Sequence, residues 1–392
     1  MISFEEAYKT VMDEAQFVPV IKVPLMYALN RILAEDIHSD TDMPPFNKSA
    51  VDGFACRKDD LSSGKPFRII ETIAAGTLPE KSVNPGECSR IMTGAMIPEG
   101  ADCVIMVEDA KERKNGWVNF IGERLAANIC FKGEDIKKGD RVLKKGTMIK
   151  PQHIAVLASV GFSDPLVAQK VTIGILSTGD ELVEPGFHPP IPKIRNSNAF
   201  QLMAQAFSVC CSPFYYGIAF DTKRSLINKL KEILRYNNVV ILTGGVSMGD
   251  FDYVPAVIKN LGFDILFKSI AIQPGRPTVF GMKDDKFIFG LPGNPVSSFV
   301  LFEMLVKPFL LKMMGCESNF NTVPLPMGID YSRKRSIRKA LIPVKIINGE
   351  VIPLEYHGSA DIQAYADAQG ILSMEIGETK IQKGEIVNVR QI

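Results

Sequence analysis

Apolar residues recur at two different spacings along the chain, and the change of spacing divides it into regions. The helical period appears twice within residues 1 to 35, which predicts two helices there. From about 46 to 135, short β-prone runs alternate with Gly- and Pro-bearing turns such as Asn115-Gly116, which predicts a small β module. The apolar positions that carry the two helical patterns are Phe4, Ala7 and Val11, and then Leu25, Leu29 and Ile32.

Between about 170 and 315, apolar strands alternate with helices. This order predicts a mainly parallel sheet with helices on both faces. After 319 the pattern returns to short β-like runs with turns at Asn348-Gly349 and Lys383-Gly384. The predicted elements are a helix at 151–160, strands at 171–176, 209–218, 239–242, 264–272 and 286–290, and helices at 197–207, 223–236, 253–261 and 296–314.

The composition indicates the general class of protein but does not identify the reaction or ligand. The chain has 392 residues and a net charge of +1, so a general attraction to nucleic acid is not indicated. No apolar run approaches the roughly 18 residues that span a bilayer, and the acidic N-terminus is unlike a signal peptide. The seven cysteines form no C-x-x-C pair, which fits reduced, mostly buried thiols. We therefore expect a cytoplasmic protein without a structural zinc site.

Four unusual loops follow predicted strands of the α/β region. In such a sheet, ligands bind beyond the carboxyl ends of the strands. In the last loop, Gly293 lets the backbone approach a ligand, and amides of residues 296 to 299 at a helix start are expected to attract an anion. The loops are Ser177-Thr178-Gly179-Asp180-Glu181-Leu182, the run from Thr243 to Asp252, Gln273-Pro274-Gly275-Arg276-Pro277, and Leu291-Pro292-Gly293-Asn294-Pro295-Val296-Ser297.

The chemistry of these loops is that of hydroxyls, glycine amides and carboxylates. They are suited to a phosphate or a polar heterocycle, with Mg²⁺ held by acids, although each loop alone is also typical of a turn or a helix cap. The glycine patterns match neither a P-loop nor a dinucleotide fingerprint. No nucleophile elbow occurs, so phosphoryl-type chemistry is favoured over nucleophilic catalysis.

The β module carries unusual segments of its own at residues 44–55, 90–95 and 133–135. Asp52-Gly53 and Thr93-Gly94 are each also typical of ordinary turns. Physical reasoning from the residues alone does not connect them with the α/β loops.

Five of these segments occur in the order found in one known family. They read P-P-F-N-K-S-A-V-D-G-F-A, R-I-M-T-G-A, S-T-G-D-E-L, T-G-G-V-S-M-G-D-F-D-Y and G-L-P-G-N-P-V-S. The chain thereby resembles MoeA, the molybdopterin molybdenumtransferase (molybdotransferase) family that includes the gephyrin E domain, over nearly its whole length.

The resemblance implies an α/β multidomain fold and a function in molybdenum cofactor biosynthesis. The implied domains are a discontinuous helical domain (1–45 and 136–168), an inserted β domain (46–135), a MogA-like molybdopterin-binding domain with a mainly parallel sheet (169–318) and a C-terminal β barrel (319–392). The implied reaction is Mg²⁺-dependent insertion of molybdate into adenylylated molybdopterin, which releases AMP. The implied assembly is a homodimer with its cleft between subunits, and other cofactor-biosynthesis proteins are possible partners.

The resemblance also implies roles for particular residues. The expected catalytic residues are Asp52, Thr93, Asp135, Glu181, Asp221 and Asp252, with Glu181, Asp221 and Asp252 as ligands of Mg²⁺. The expected substrate-binding residues are Ser177, Thr178, Gly179, Asp180, Thr243, Gly244, Gly245, Val246, Ser247, Pro292, Gly293, Asn294 and Pro295. The expected molybdate-binding residues are Gln273, Arg276, Pro277, Ser297, Arg338 and Ser359.

Two positions depart from the family pattern, and two other functions compete. Gln273 stands where the family usually has lysine, which removes a charge from the oxyanion site, and Arg276 replaces another lysine with a different donor geometry. One alternative is a non-enzymatic scaffold of the gephyrin kind. The other is an ATP-dependent molybdopterin adenylyltransferase.

Overall fold

The chain forms two compact units in a computed structural model that describes residues 1–122, 126–246, 253–316, 322–355 and 357–392. The larger unit comprises residues 1–35, 145–151 and 164–392. The smaller unit comprises residues 36–144 and 152–163. The finer division into four domains stays a prediction.

A mixed six-stranded sheet is the centre of the larger unit. Its strands lie in the order Ser212–Ala219, Thr172–Thr178, Val239–Thr243, Lys286–Leu291, Val279–Lys283 and Asp264–Phe267. The first four strands are mutually parallel, so the prediction of a mainly parallel sheet is confirmed. Val279–Lys283 is antiparallel to both of its neighbours, Lys286–Leu291 and Asp264–Phe267.

Helix packing on this sheet follows from the spacing of apolar residues. In the helix Lys223–Tyr236, Leu226, Leu230 and Ile233 are buried, and the Thr222 hydroxyl caps the first turn by accepting from Ser225 N–H. Gly174 permits the close approach, because a Cβ there would lie 2.1 Å from Ile233 Cγ2. The helices and helical turns of the unit are Phe4–Asp13, Leu25–Tyr27, Asn198–Ser208, Lys223–Tyr236, Val254–Asn260, Pro295–Leu301, Phe302–Val306, Lys307–Met313 and Ile362–Tyr365.

A second six-stranded sheet is formed by the C-terminal residues and one short strand from the α/β region. The main path joins Ile272–Gln273, Lys339–Ile347, Gly370–Met374, Ile386–Gln391 and Thr322–Pro326, and Glu350–Pro353 pairs with Lys339–Ile347. Met327 also bridges Val351, and both predicted turns have positive φ, at Asn348-Gly349 and at Gly384. Closure into a barrel stays a prediction. The remaining strands of the unit are Val20–Lys22, Leu166–Ala168, Leu182–Val183, Ile194–Arg195, Tyr331–Ser332 and Lys380–Ile381.

The smaller unit is built on a third six-stranded sheet, as the β-prone runs predict. Its order is Cys103–Met106, Gly53–Cys56, Glu87–Ile91, Phe67–Ile73, Trp117–Phe120 and Ala110–Arg113. Its other elements are the strands Ile37–His38, Lys48–Ser49, Ile129–Cys130 and Arg141–Leu143, the helices Lys58–Leu61 and Pro151–Ser159, and the turn Val107–Asp109. The predicted helix from Pro151 is confirmed, with Pro151 itself counted in the larger unit.

Several predicted elements are wrong in detail. The second N-terminal helix is only the short turn Leu25–Tyr27, because Asn30 has a positive φ of 62°, which stops a helix, and Ile32 bridges Met148 instead. The predicted helix at 296–314 has a wide π turn at Phe302–Val306, just before Pro308, which lacks an amide donor.

The predicted strand at 264–272 is two strands in different sheets. Asp264–Phe267 lies at the edge of the α/β sheet, whereas Ile272–Gln273 pairs with Lys339–Ile347 of the C-terminal sheet. The sequence predicted that the loop Gln273–Pro277 follows a strand of the α/β sheet. This prediction is wrong, because the loop follows a strand of the C-terminal sheet. The strand Val279–Lys283 was not predicted at all.

Candidate active site

Three of the predicted loops leave neighbouring parallel strands at one edge of the α/β sheet. In the strand register, Ser177 pairs with Thr243, and Thr243 pairs with Leu291. The loops that begin at these residues therefore lie side by side. They border a cleft of about 620 Å³.

Most of the predicted substrate-binding residues line this cleft. They are Thr178, Gly179, Thr243, Gly244, Gly245, Val246, Pro292, Gly293, Asn294 and Pro295, together with Glu181, Asp221 and Pro277. Ser177 is fully buried and does not contribute to the lining. Ser247 and Asp252 lie outside the described residues.

Glycine is required where two of the loops touch. Gly244 has a φ of 96°, and a Cβ there would lie 2.4 Å from Thr178 O and 2.8 Å from Thr178 Oγ1. The Gly244 amide donates to Leu291 O at 3.0 Å, which ties the loop that begins at Thr243 to the loop that begins at Leu291. A side chain at this position would be strained and would also separate the first loop from the second.

Acidic side chains crowd one wall of the cleft. Asp221 is partly buried, and Asp180 Oδ1 accepts a hydrogen bond from its amide at 3.3 Å. Burial raises the pKa of Asp221, and the nearby charges of Asp180 and Glu181 raise it further. Within the described ranges no group of three or more His, Cys, Asp or Glu side chains is arranged to hold a metal. The predicted ligand Asp252 lies outside these ranges.

A segment that the sequence analysis did not select organises this cleft. Residues Ile194 to Asn198 line it, and two of them have buried amide side chains. Asn198 Nδ2 donates to Thr243 Oγ1 at 2.8 Å and to Gly293 O at 2.7 Å. The Asn198 side chain thereby holds together the loop that begins at Thr243 and the loop that begins at Leu291.

Asn196 ties the start of the first loop to the edge strand Ser212–Ala219. Its Oδ1 accepts from Ser177 Oγ at 3.0 Å, and its Nδ2 donates to Tyr215 Oη at 2.8 Å. Tyr215 in turn donates to Glu184 Oε1 at 2.7 Å. The Asn-Ser-Asn run at the start of the predicted helix 197–207 was the signal that could have identified this segment.

A second cavity of about 580 Å³ contains every predicted molybdate-binding residue. Asn294 Nδ2 donates to Ser359 Oγ at 2.7 Å, and Arg338 Nη1 donates to Ile272 O at 3.4 Å. Pro277, Pro292 and Asn294 line both this cavity and the cleft, so the two adjoin. The predicted residues in its lining are Gln273, Arg276, Pro277, Ser297, Arg338 and Ser359.

The expectation of free amides at residues 296 to 299 is wrong for two of them. Val296 N–H donates to Ser359 O at 3.1 Å, and Ser298 N–H donates to Asn294 O at 3.1 Å. Protein carbonyls thus use donors that were expected to face an anion.

In the smaller unit, Asp52 and Thr93 form a pair. Asp52 Oδ1 accepts from Thr93 N–H at 2.6 Å and from Thr93 Oγ1 at 2.8 Å. The amide hydrogen bond and then the hydroxyl lower the pKa of Asp52, so the exposed carboxylate is held ionised.

The segment that carries Asp135 joins the same region through the strand Lys48–Ser49. Ile129 pairs with Ser49, and Ser49 O accepts from Gly94 N–H at 2.8 Å. The Asp135 amide donates to Met43 O at 3.0 Å, while its side chain is exposed. Three separated sequence segments thus meet in one part of the smaller unit.

Comparisons with known proteins agree with this arrangement. Residues 2–161 match the MoeA N-terminal region (domain I and II), and residues 174–312 match a probable molybdopterin binding domain. The molybdopterin molybdenumtransferase of Staphylococcus epidermidis is 37% identical over 99% of this chain and 95% of its own length. That of Staphylococcus aureus is 35% identical with the same coverage.

Solved structures support the same assignment. The molybdopterin biosynthesis moeA protein from Pyrococcus horikoshii OT3 superposes with a TM-score of 0.86 at 30% identity, covering 100% of both chains. No helix among the described residues is long and apolar enough to cross a bilayer. From sequence and structure together, the chain belongs to the MoeA family of molybdopterin molybdenumtransferases, enzymes of molybdenum cofactor biosynthesis.

Proposed function

We propose that this protein inserts molybdate into adenylylated molybdopterin in a Mg²⁺-dependent reaction that releases AMP. One observation carries the proposal: the cleft of glycine loops and acids adjoins the cavity that contains Arg276 and Arg338, and three residues line both. A phosphate ester in the first and a tetrahedral oxyanion in the second would then lie next to each other. Such positioning is the main requirement of phosphoryl-type chemistry.

The glycine loops supply the binding of the pterin phosphate in this proposal. Gly244 and Gly245 allow the backbone to approach the ligand, and the Thr178 and Thr243 hydroxyls lie in the same lining. Asn196 and Asn198 act as positioning residues, because the buried amide of Asn198 joins two of the loops and that of Asn196 ties Ser177 to Tyr215 of the edge strand. The proposed substrate-binding role of the other lining residues rests on the same cleft; they are Gly179, Val246, Pro292, Gly293, Asn294 and Pro295.

The acids of the cleft fit a divalent cation in charge and in donor type. Burial raises the pKa of Asp221, and the neighbouring charges of Asp180 and Glu181 raise it further, so a cation bound there would stabilise the ionised carboxylate. Glu181, Asp221 and Asp252 would hold Mg²⁺, which would neutralise charge on the phosphate oxygens. Asp180 orients Asp221 by accepting its amide hydrogen bond.

The second cavity would hold molybdate. Arg276 and Arg338 provide positive charge, and Ser297 and Ser359 provide hydroxyls, whereas Gln273 provides only an amide. Because Gln273 is neutral, the two arginines carry the charge complementarity toward the oxyanion. Pro277 shapes the boundary with the cleft.

We further propose a homodimer in which Asp52, Thr93 and Asp135 of one copy complete the cleft of the other. The apolar side chains Phe17, Met26 and Tyr27 are exposed and would be available to an interface between two copies. In mixed dimers, one Asp52→Asn copy and one Glu181→Gln copy should restore part of the activity lost in each parent. No recovery after demonstrated subunit exchange would refute the shared cleft.

The direct test is an anaerobic assay with adenylylated molybdopterin, molybdate and Mg²⁺, in which AMP and mature cofactor are both measured. The proposal expects AMP release that depends on Mg²⁺ and requires no ATP. Turnover only with ATP would instead support an adenylyltransferase, and no turnover would support a gephyrin-like scaffold. The four-domain division, the C-terminal barrel, the cytoplasmic location and contacts with other biosynthesis proteins stay predictions of the family resemblance.

A further inference from the structure

Arg195 lies on the short segment that organises the cleft, directly beside the acidic loop. The strand Ile194–Arg195 runs parallel to Leu182–Val183, with Arg195 opposite Val183. Ile194 N–H donates to Glu181 O at 2.8 Å, and Asn196 N–H donates to Val183 O at 2.8 Å. The backbone of Arg195 is therefore fixed on both sides.

The side chain of Arg195 is also oriented by the protein. Its Nε donates to Pro185 O at 3.1 Å and to Phe187 O at 3.2 Å. These contacts use the inner donor of the guanidinium and leave its terminal nitrogens for other partners. No carboxylate of the described residues lies within ion-pair distance of Arg195, although the residue is exposed.

The charge of the cleft makes this arginine distinctive. Among the described lining residues, Arg195 is the sole lysine or arginine, and Glu181 and Asp221 are the acids. The residues 247–252 that follow Val246 add two aspartates and no basic residue to the sequence. Among the lining residues that the structure describes, an anionic ligand would thus meet a single cation, Arg195.

We propose that Arg195 binds a phosphate of the ligand in the cleft through its terminal guanidinium nitrogens. The ligand class is a phosphate or pyrophosphate ester, which rests on the proposed function and extends it to a residue that the family motifs did not select. A guanidinium fixed at Nε presents its outer N–H groups in a geometry suited to paired phosphate oxygens. Lysine could supply the charge but not this geometry.

The test measures binding of inorganic pyrophosphate by isothermal titration calorimetry, with and without Mg²⁺. Arg195→Gln should weaken pyrophosphate binding about ten-fold or more, the usual size of a lost charge-assisted hydrogen bond. Arg195→Lys should fall between this variant and wild type. Lys193→Gln is the matched control, since it removes a cation two residues away that does not line the cleft, and its affinity should stay within about two-fold of wild type.

The neighbouring cavity needs a control of its own, because its arginines could also bind the probe. The loss caused by Arg195→Gln should persist when it is added to Arg276→Gln. Thermal unfolding of each variant checks the fold, and Arg195→Lys provides the answer if Arg195→Gln does not fold.

The possible results are distinct. Wild-type affinity in Arg195→Gln, an equal loss in Lys193→Gln, or no binding of pyrophosphate to wild type would each overturn the role of Arg195. Arg195-dependent binding in a protein that never releases AMP from adenylylated molybdopterin would support the anion site and reject the proposed function.

Discussion

In the smaller unit, Asp52 accepts two hydrogen bonds from Thr93, whereas in the larger unit Asp221 lies among other carboxylates in a partly buried cleft. The pKa of Asp52 is lowered and that of Asp221 is raised. The fold therefore supports the ionised form of one aspartate and disfavours it at the other. We interpret the first as a locally satisfied anion and the second as part of a site whose charge requires a ligand.

The largest expected effect comes from forcing two of the cleft loops apart without changing the charge of the cleft. Gly244→Ala would force Cβ against Thr178 O and strain the positive φ, and we expect a loss of about 2–4 kcal/mol in unfolding free energy with loss of activity. Gly349→Ala is the matched control, because Gly349 has a φ of 80° with open space around it. Chemical denaturation compares the two. Equal losses would mean that the contact with Thr178 is unimportant.

Asp221→Asn tests the interpretation of the crowded acids. It removes a charge that the fold disfavours, so we expect roughly a hundred-fold loss of AMP release together with a melting temperature raised by roughly 1–3 °C. Asp52→Asn should lower activity without raising the melting temperature, because it weakens the hydrogen bonds with Thr93. A fall in melting temperature for Asp221→Asn would contradict the unpaired-charge interpretation.

The pH dependence of stability should separate the same two aspartates. Asp221 has a folded pKa above its ordinary value of 3.8, so its favourable contribution is present below that pH and is lost as pH rises through the folded pKa. The increase in melting temperature caused by Asp221→Asn should therefore be absent in acid and appear toward neutral pH. Asp52 has a folded pKa below 3.8, so its contribution is present above that value and lost only in stronger acid. Melting curves from about pH 2 to about pH 7, which cover the range in which aspartates titrate, test both signs.

Thr93→Val has the smallest expected effect. It removes the hydroxyl donor to Asp52 but keeps the amide donor, so we expect about a ten-fold loss of activity and little change in stability. The pKa of Asp52, followed by NMR titration, should move back toward its ordinary value without reaching it. An unchanged pKa would show that the hydroxyl contributes nothing.

The sequence was sufficient for the parts of the fold that local pattern controls. The parallel strands and the helix Lys223–Tyr236 follow from apolar period and capping, and the three glycine-bearing loops follow from strand order. Of the residues that the resemblance selected, most of those in the larger unit line two adjoining cavities, whereas Asp52, Thr93 and Asp135 lie in the smaller unit.

The features that the sequence could not predict depend on contacts between distant residues. Ile272–Gln273 joins the C-terminal sheet by pairing with the strand that begins at Lys339, and no local pattern reveals this pairing. The buried amides of Asn196 and Asn198 look like helix-start residues in sequence, and their ties to Ser177 and Thr243 appear only in the folded chain. The helix after Asn294 was expected to present free amides, but Ser359 O accepts from Val296.

The most direct test of the two-cavity account is the rate of AMP release as molybdate is varied, in wild type, Arg276→Gln and Glu181→Gln. The account predicts that Arg276→Gln raises the KM for molybdate with little change in the KM for adenylylated molybdopterin. It also predicts that no concentration of molybdate restores Glu181→Gln. A molybdate KM that is unchanged in Arg276→Gln, or AMP release by Glu181→Gln at high molybdate, would contradict it.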